Sequence, residues 1–417
     1  EKQGASTRFT LEWCPWVDTH SDRKKWDSAL FLDPDGKVTF NCQHSHCQGR
    51  TWHDYRKYYE PDAYEPKPYQ QRQYMLPQAI QPVILKETPD KGKKWLGLKD
   101  IKRVNISELP HFITGFTELD KAIKGLFFCE VTILSGSNSS GKSSWLNTLM
   151  LNAVQQGVKT ALWSGELRKD VLKTWIQMVA AGKERMSQGK NGYWYVPTVI
   201  GDKIDNWIEG KFFLYNNKYS NKWAQIFNDM KELLSNGVRL FVLDNLMSMD
   251  IDIFDGDSNK KQKGLINQIC DFAKNEQAHI ILVAHPRKVS TFIRKTDISG
   301  SSDLTNSVDN VLIVHRVNND FRKLGGDYLG QTYINRFTNY SNVVEVAKNR
   351  MMGAQDVLCG MFYEIESRRF KNSADEKRVY GWRDDVGTSQ DMFVDAQQQT
   401  EQGMPFEAPD DNSDLPF

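Results

Sequence analysis

From about Leu109, short runs of β-branched and aromatic residues alternate with longer stretches of helical character. The runs are "EVTILSG", "KTALWSGE", "KFFLYNN", "VRLFVLDN", "AHIILVAH", "VDNVLIVHR" and "VVEVAKNR". Most are continuously apolar, as expected of strands covered on both faces. Alternation with helices predicts an α/β fold: a mostly parallel sheet with helices packed on both sides.

The remaining pattern divides the chain further. Residues 1–63 are short in apolar runs, aromatic, and bear Cys and His; they predict a small separate domain. Residues 64–108 shift to Pro, Gln and Lys and predict an extended linker. The α/β domain is expected over 109–389. Residues 390–417 carry Gln, Asp, Pro and Ser with too few apolar positions to pack, and predict a disordered acidic tail.

Length and charge narrow this only a little. The 417 residues allow two or three domains, and a net charge of +1 supplies no global basic field, so any nucleic-acid site must be local. No apolar run approaches the roughly 18–20 residues that cross a bilayer, and no signal peptide is visible, which predicts no membrane partner and a cytoplasmic location. Of six cysteines, three cluster near the N-terminus and three are single, which is not a secreted disulfide framework. A chain beginning at Glu1 is expected to be a piece of a longer polypeptide.

Candidate chemistry concentrates at strand tips. Gly136, Gly141, Lys142 and Ser143 fit G-x-x-x-x-G-K-[ST] between the strand "VTIL" and the helix "SSWLNTLMLNAV". The loop Gly136, Ser137, Asn138, Ser139, Ser140, Gly141, Lys142, Ser143, Ser144 would wrap the phosphates of ATP or another nucleoside triphosphate with backbone N–H groups. Lys142 would neutralise the outer phosphates and Ser143 would ligate Mg²⁺. Asp244 ends "VRLFVLD" and could hold the Mg²⁺ water shell. Glu166 ends "ALWSGE" and could polarise an attacking water. His285 ends "IILVAH" and could contact the γ-phosphate. As isolated residues, Glu166 reads as a helix-start acid and His285 as a surface histidine; their shared placement at strand tips makes them candidates.

Phosphate loop, Glu, Asp and His in that order resemble the RecA-like core of hexameric replicative helicases of the DnaB/Twinkle type. "TGFTELD", "SGEL", "VAHPRK" and "DISGSSDLTNSVDNVLIVHR" are similar to that family's successive motifs over residues 109–370. The resemblance implies a RecA-like P-loop NTPase fold and a ring, expected to be a hexamer. "VVEVAKNRMMG" resembles the family's K-x-R strand, which implies that Lys348 and Arg350 reach the nucleotide of the adjacent subunit. It also implies that two loops line a channel for single-stranded DNA. One carries Lys260, Lys261 and Lys263; the other, favoured, carries Arg287, Lys288, Arg294 and Lys295.

Near the N-terminus, Cys14, His20, Cys42 and Cys47 flank a hairpin, and thiolates with imidazole suit tetrahedral Zn²⁺, with His44 competing for one position. The stretch resembles zinc ribbons of phage and plasmid primase–helicases. No acidic polymerase-like centre accompanies it, so primase chemistry is not assigned to these residues. The C-terminal Asp-Leu-Pro-Phe resembles the tip of bacterial single-stranded-DNA-binding proteins, which implies docking to replication partners. Together these features predict a replicative DNA helicase working in a bacterial cell or phage-infected host. The alternative is a RecA-like DNA-binding ATPase, a recombinase or switch without unwinding activity.

Overall fold

The computed structural model describes residues 2–3, 6–33, 37–60, 76–82, 95–101, 103–216, 218–254, 256–287, 292–298 and 302–383, and the chain divides into two compact units, Glu1–Arg72 and Gln73–Phe417. The 390–417 tail, with its Asp-Leu-Pro-Phe tip, lies outside the described residues.

The first unit carries strands Ser6–Leu11, Ser28–Leu32 and Val38–Cys42 paired antiparallel in sequence order, then the helix Trp52–Tyr59. Its core is small: Cys14, Phe40 and Cys47, flanked by residues such as Trp16, Leu30 and Tyr55. So little apolar area cannot by itself offset the entropy of ordering about 60 residues.

Among the described residues, the main sheet of the second unit has nine strands. In chain order they are β1 (Val131–Gly136), β2 (Lys159–Ser164), β3 (Phe212–Leu214), β4 (Val238–Asp244), β5 (His279–Val283), β6 (Asn310–Arg316), β7 (Asn342–Asn349), β8 (Val357–Glu364) and β9 (Arg369–Lys371). Their spatial order is β3-β2-β4-β5-β1-β6-β7-β8-β9. The run from β3 to β6 is parallel, and β6 to β9 is antiparallel. All seven strands expected from the sequence are present, and the β8–β9 hairpin extends the sheet beyond them.

Period-two alternation sends successive residues to opposite faces. Ile133, Phe241, Leu243, Ile280 and Leu282 pack under the helices α4 (Trp223–Ser235) and α5 (Ser258–Glu276) through Trp223, Ile226, Leu265 and Ile269. Leu134, Leu240, Val242, Ile281 and Val283 pack on the other face against α1 (Lys142–Gln155) through Trp145, Leu146, Leu149 and Met150. Burying both faces removes the register freedom of β1, β4 and β5 and fixes where their C-terminal tips fall.

Within the 64–108 segment, Ile80 and His111 exchange both backbone hydrogen bonds at 2.9 Å, and the Ala79 N–H donates to the Gln156 carbonyl at 3.1 Å. One expectation changes. Lys260, Lys261 and Lys263 are not on a loop but in the first turns of α5, where the Asp257 carboxylate caps the helix by accepting from the Lys260 N–H at 2.9 Å. Lys261 is paired with Asp252 at 2.6 Å. An Asp cap followed by a long apolar-periodic segment outweighs the charge run.

Candidate functional site

Parallel strands β2, β4, β5 and β1 all end at one edge of the sheet, and the chain turns there into loops. A cleft of about 780 Å³ opens at that edge, lined by the 138–144 loop, Glu166, Asp244 and His285. Four separate sequence segments are thus brought to one place by strand register.

The phosphate-type loop depends on two glycines with positive φ. A Cβ on Gly136 (φ +153) would lie 2.4 Å from the Val314 carbonyl oxygen, and one on Gly141 (φ +101) would lie 2.9 Å from the Phe370 ring. Neither position accepts a side chain without displacing the strand or aromatic beside it. Beneath the loop, the Asn342 amide donates to the Ser140 carbonyl at 2.9 Å. Lys142 curls back, its Nζ donating to the carbonyls of Gly136 and Ser137 at 2.9 and 3.0 Å. Burial lowers its pKa, against the pull of Asp244 and Glu166. Those two borrowed carbonyls are neutral, so an anion in the loop would be a better partner for the ammonium.

Asp244 is 5% exposed. Burial first, and then the charge of Glu166, raises its carboxyl to about 6. The Ser143 hydroxyl stands 3.4 Å from its Oδ2. A hydroxyl and a carboxylate oxygen side by side form the hard-oxygen donor set that Mg²⁺ takes. Glu166 follows β2 in a turn fixed by the Gly165 N–H donating to the Asp244 carbonyl at 2.6 Å. The His285 Nε2 lies 3.0 Å from the Glu166 Oε1. Asn245, which the sequence reading passed over, reaches both: its amide contacts Glu166 Oε1 and lies 2.7 Å from His285 Nε2. The available signal was a second polar residue directly after a buried strand. Arg316, Trp175 and Arg368 also line the cleft, and the Arg368 guanidinium lies 3.6 Å above the Trp175 ring.

Lys348 and Arg350 lie elsewhere. Asn349 pairs with Asn310, and Asn310 with Thr132, four residues before Gly136, which is about 13 Å back along the strand direction. Lys348 Nζ donates to the carbonyls of Thr305, Asn306 and Val308 at 3.1, 2.9 and 2.7 Å, holding the C-terminal end of helix α6 (Ser302–Ser307). Arg350 pairs with Asp309 at 2.6 Å while its side chain stays 49% exposed. Neither cation reaches the phosphate loop of its own chain.

Beyond His285, the chain makes a short bridge, Pro286 to Ile298, and the Arg287 N–H donates to the Asp297 carbonyl at 2.7 Å. Arg287 and Arg294 are exposed and Lys295 half-buried; Lys288 lies outside the described residues. Phe292 anchors this segment, buried and stacked on His315 at 4.8 Å. Arg294 lies over the Tyr328 ring at 4.1 Å.

In the first unit, one ligand atom from each of Cys14, His20, Cys42 and Cys47 lies within 4.8 Å of the others. Cys14 and Cys47 sulfurs are 3.6 Å apart, and His20 Nε2 is 3.1 Å from Cys47 and 3.9 Å from Cys42. A zinc tetrahedron with bonds near 2.3 Å has edges of about 3.8 Å, so three sulfurs and a nitrogen at these separations fit that ion. His44 stands one step out: its Nδ1 is 3.5 Å from Cys42 and its Nε2 is 2.7 Å from Asp22. Among the described residues, no helix is long and apolar enough to cross a membrane.

Comparison with known proteins follows the same lines. The model of the DnaB-like helicase C-terminal domain matches residues 112–372. The Twinkle homolog protein, chloroplastic/mitochondrial, of Arabidopsis thaliana is 24% identical over 224 residues, which is 49% of this chain and 30% of that relative. The chain therefore spans less than a third of that relative's length. Two solved structures are similar at 14% identity, each over 62% of this chain. One is an ATPase domain, 90% covered with TM-score 0.49; the other is a DnaB-like replicative helicase, described with its interactions with primase, 60% covered with TM-score 0.47.

Proposed function

The chain belongs to the DnaB-like helicase C-terminal domain family, and from that premise we propose that it is the motor of a replicative DNA helicase. It hydrolyses a nucleoside triphosphate between the subunits of a ring, expected to be a hexamer, and so moves along single-stranded DNA and parts the duplex. The observation that carries this reading is the convergence of Lys142, Ser143, Glu166, Asp244 and His285 on one cleft.

Lys142 exchanges its two loop carbonyls for phosphoryl oxygens when nucleotide enters. Ser143 and Asp244 would hold Mg²⁺, which would supply neutralisation of the phosphate charge. Glu166 accepts the proton of the attacking water, and His285 faces the γ-phosphate. Arg350 and Lys348 of one subunit serve the nucleotide of the next. Their distance from the phosphate loop of their own chain and the exposure of Arg350 support that assignment. A guanidinium so placed answers the charge spread over the transferring phosphoryl group.

Arg287, Lys288, Arg294 and Lys295 hold the DNA backbone without sequence preference. Their loop leaves the sheet directly after His285, so γ-phosphate occupancy and DNA grip share one strand. Cys14, His20, Cys42 and Cys47 would hold Zn²⁺, which would supply most of the folding energy of the first unit, on the order of 10 kcal/mol. The domain limits at 63, 108 and 389, the cytoplasmic setting and the docking of the Asp-Leu-Pro-Phe tip on replication proteins belong to the same reading.

Turnover and strand displacement on a fork substrate test it together. Wild type is expected to do both, and Lys142→Ala neither. Robust DNA-stimulated turnover by the wild-type ring without displacement from either fork polarity would replace the helicase by an ATPase switch.

A further inference from the structure

We infer that Asn245 is a positioning residue that ties Glu166 to His285 and relays nucleotide occupancy from the histidine to the carboxylate. The inference rests on the reading of Glu166 as the water-activating base.

Asn245 is 1% exposed. Its Oδ1 accepts from the Ser248 N–H at 3.1 Å and faces the Ser248 hydroxyl at 3.3 Å. With Oδ1 committed on that side, Nδ2 faces Glu166 and His285. One amide hydrogen goes to Glu166 Oε1 and the other to His285 Nε2, 2.7 Å away. An imidazole nitrogen that accepts this hydrogen carries its own proton on Nδ1.

The arrangement is exclusive. If His285 instead donates from Nε2, to Glu166 at 3.0 Å or to a phosphoryl oxygen, it turns an N–H toward the Asn245 N–H, and the contact is lost. A γ-phosphate that recruits His285 as a donor therefore removes one of the two restraints on the Asn245 amide and leaves Glu166 as its sole cleft partner. The Asn245 amide is shared between the histidine and the carboxylate while the cleft is empty, and it serves the carboxylate alone once the cleft is filled. No atom of the nucleotide needs to touch Asn245.

Single-turnover rates and the affinity for a fluorescent ATP analogue, measured on the full chain, test this. Asn245→Ala is expected to keep affinity within about twofold and to slow hydrolysis about 10- to 100-fold, part of what a general base contributes. Added to Glu166→Gln it should cause no further loss, because a residue acting through Glu166 has nothing left to position. Losses that multiply, or affinity that falls in step with rate, overturn the inference. If Asn245→Ala melts early or binds no nucleotide, Ser248→Ala carries the same cycle. A loss of about threefold that vanishes in the Glu166→Gln background supports the relay, and an equal loss in both backgrounds refutes it. Wild-type turnover in Glu166→Gln alone would sink the base assignment itself, a result distinct from additivity.

Discussion

Asp244→Asn should make the nucleotide-free protein more stable while abolishing Mg²⁺-dependent turnover. Asp244 closes a strand buried on both faces, and burial together with Glu166 moves its carboxyl from 3.8 to about 6. That is ~2 pH units, or about 3 kcal/mol at 1.36 kcal/mol per unit. The sign follows from proton counts. Between 3.8 and about 6 the folded state keeps a proton that the unfolded chain has released, so stability falls as pH rises through that window and is level above it. Asparagine does not titrate. Urea unfolding of both proteins at a series of pH values isolates the carboxylate together with its coupling to Glu166 and Lys142, because groups elsewhere in the chain cancel in the difference. The gap in favour of Asp244→Asn should be constant below about pH 4, widen by about 3 kcal/mol up to pH 6, and stay level beyond. A flat difference across pH 4–7, or one that narrows, would refute the argument that this site holds its charge at a cost. The same ionisation governs the metal. Mg²⁺ must displace the proton, so its apparent affinity should drop about tenfold per unit below pH 6.

Two further outcomes follow from the geometry. Arg350→Ala should leave nucleotide affinity intact and lower turnover by a factor of about 10³ or more, read as kcat against KM; unchanged kcat would contradict a role at a neighbour's site. Purified protein should carry one zinc per chain by elemental analysis, and chelation should unfold the first unit, read as new proteolytic cleavage within residues 6–59; Cys47→Ser should reproduce the chelated state.

Strand tips were legible because a buried strand is a run of apolar residues, and the first polar residue after it marks the edge where ligands meet a parallel sheet. Asp244 and His285 each stand at such a break, and Glu166 stands two residues beyond the one at Ser164. Asn245 was not legible for the same reason: the break had already been spent on its neighbour, and the two contacts that distinguish it come from segments 79 and 40 residues away. Lysines in the first turns of α5 masked its helical period, which becomes regular only from Leu265 and Ile266 onward. The bonds of Ala79 to Gln156 and of Ile80 to His111 are made by backbone groups, which no apolar pattern announces in the sequence.

The pairing of β6 with β7 has a genetic consequence. It sends Arg350 away from its own cleft, so on the proposed reading an altered chain harms its neighbour rather than itself. Where altered and intact copies are made in equal amounts, a six-membered ring escapes with every subunit intact only about once in 64 assemblies. Substitutions at Arg350 should therefore be dominant, and more harmful to a cell that keeps one good copy than outright loss of the other.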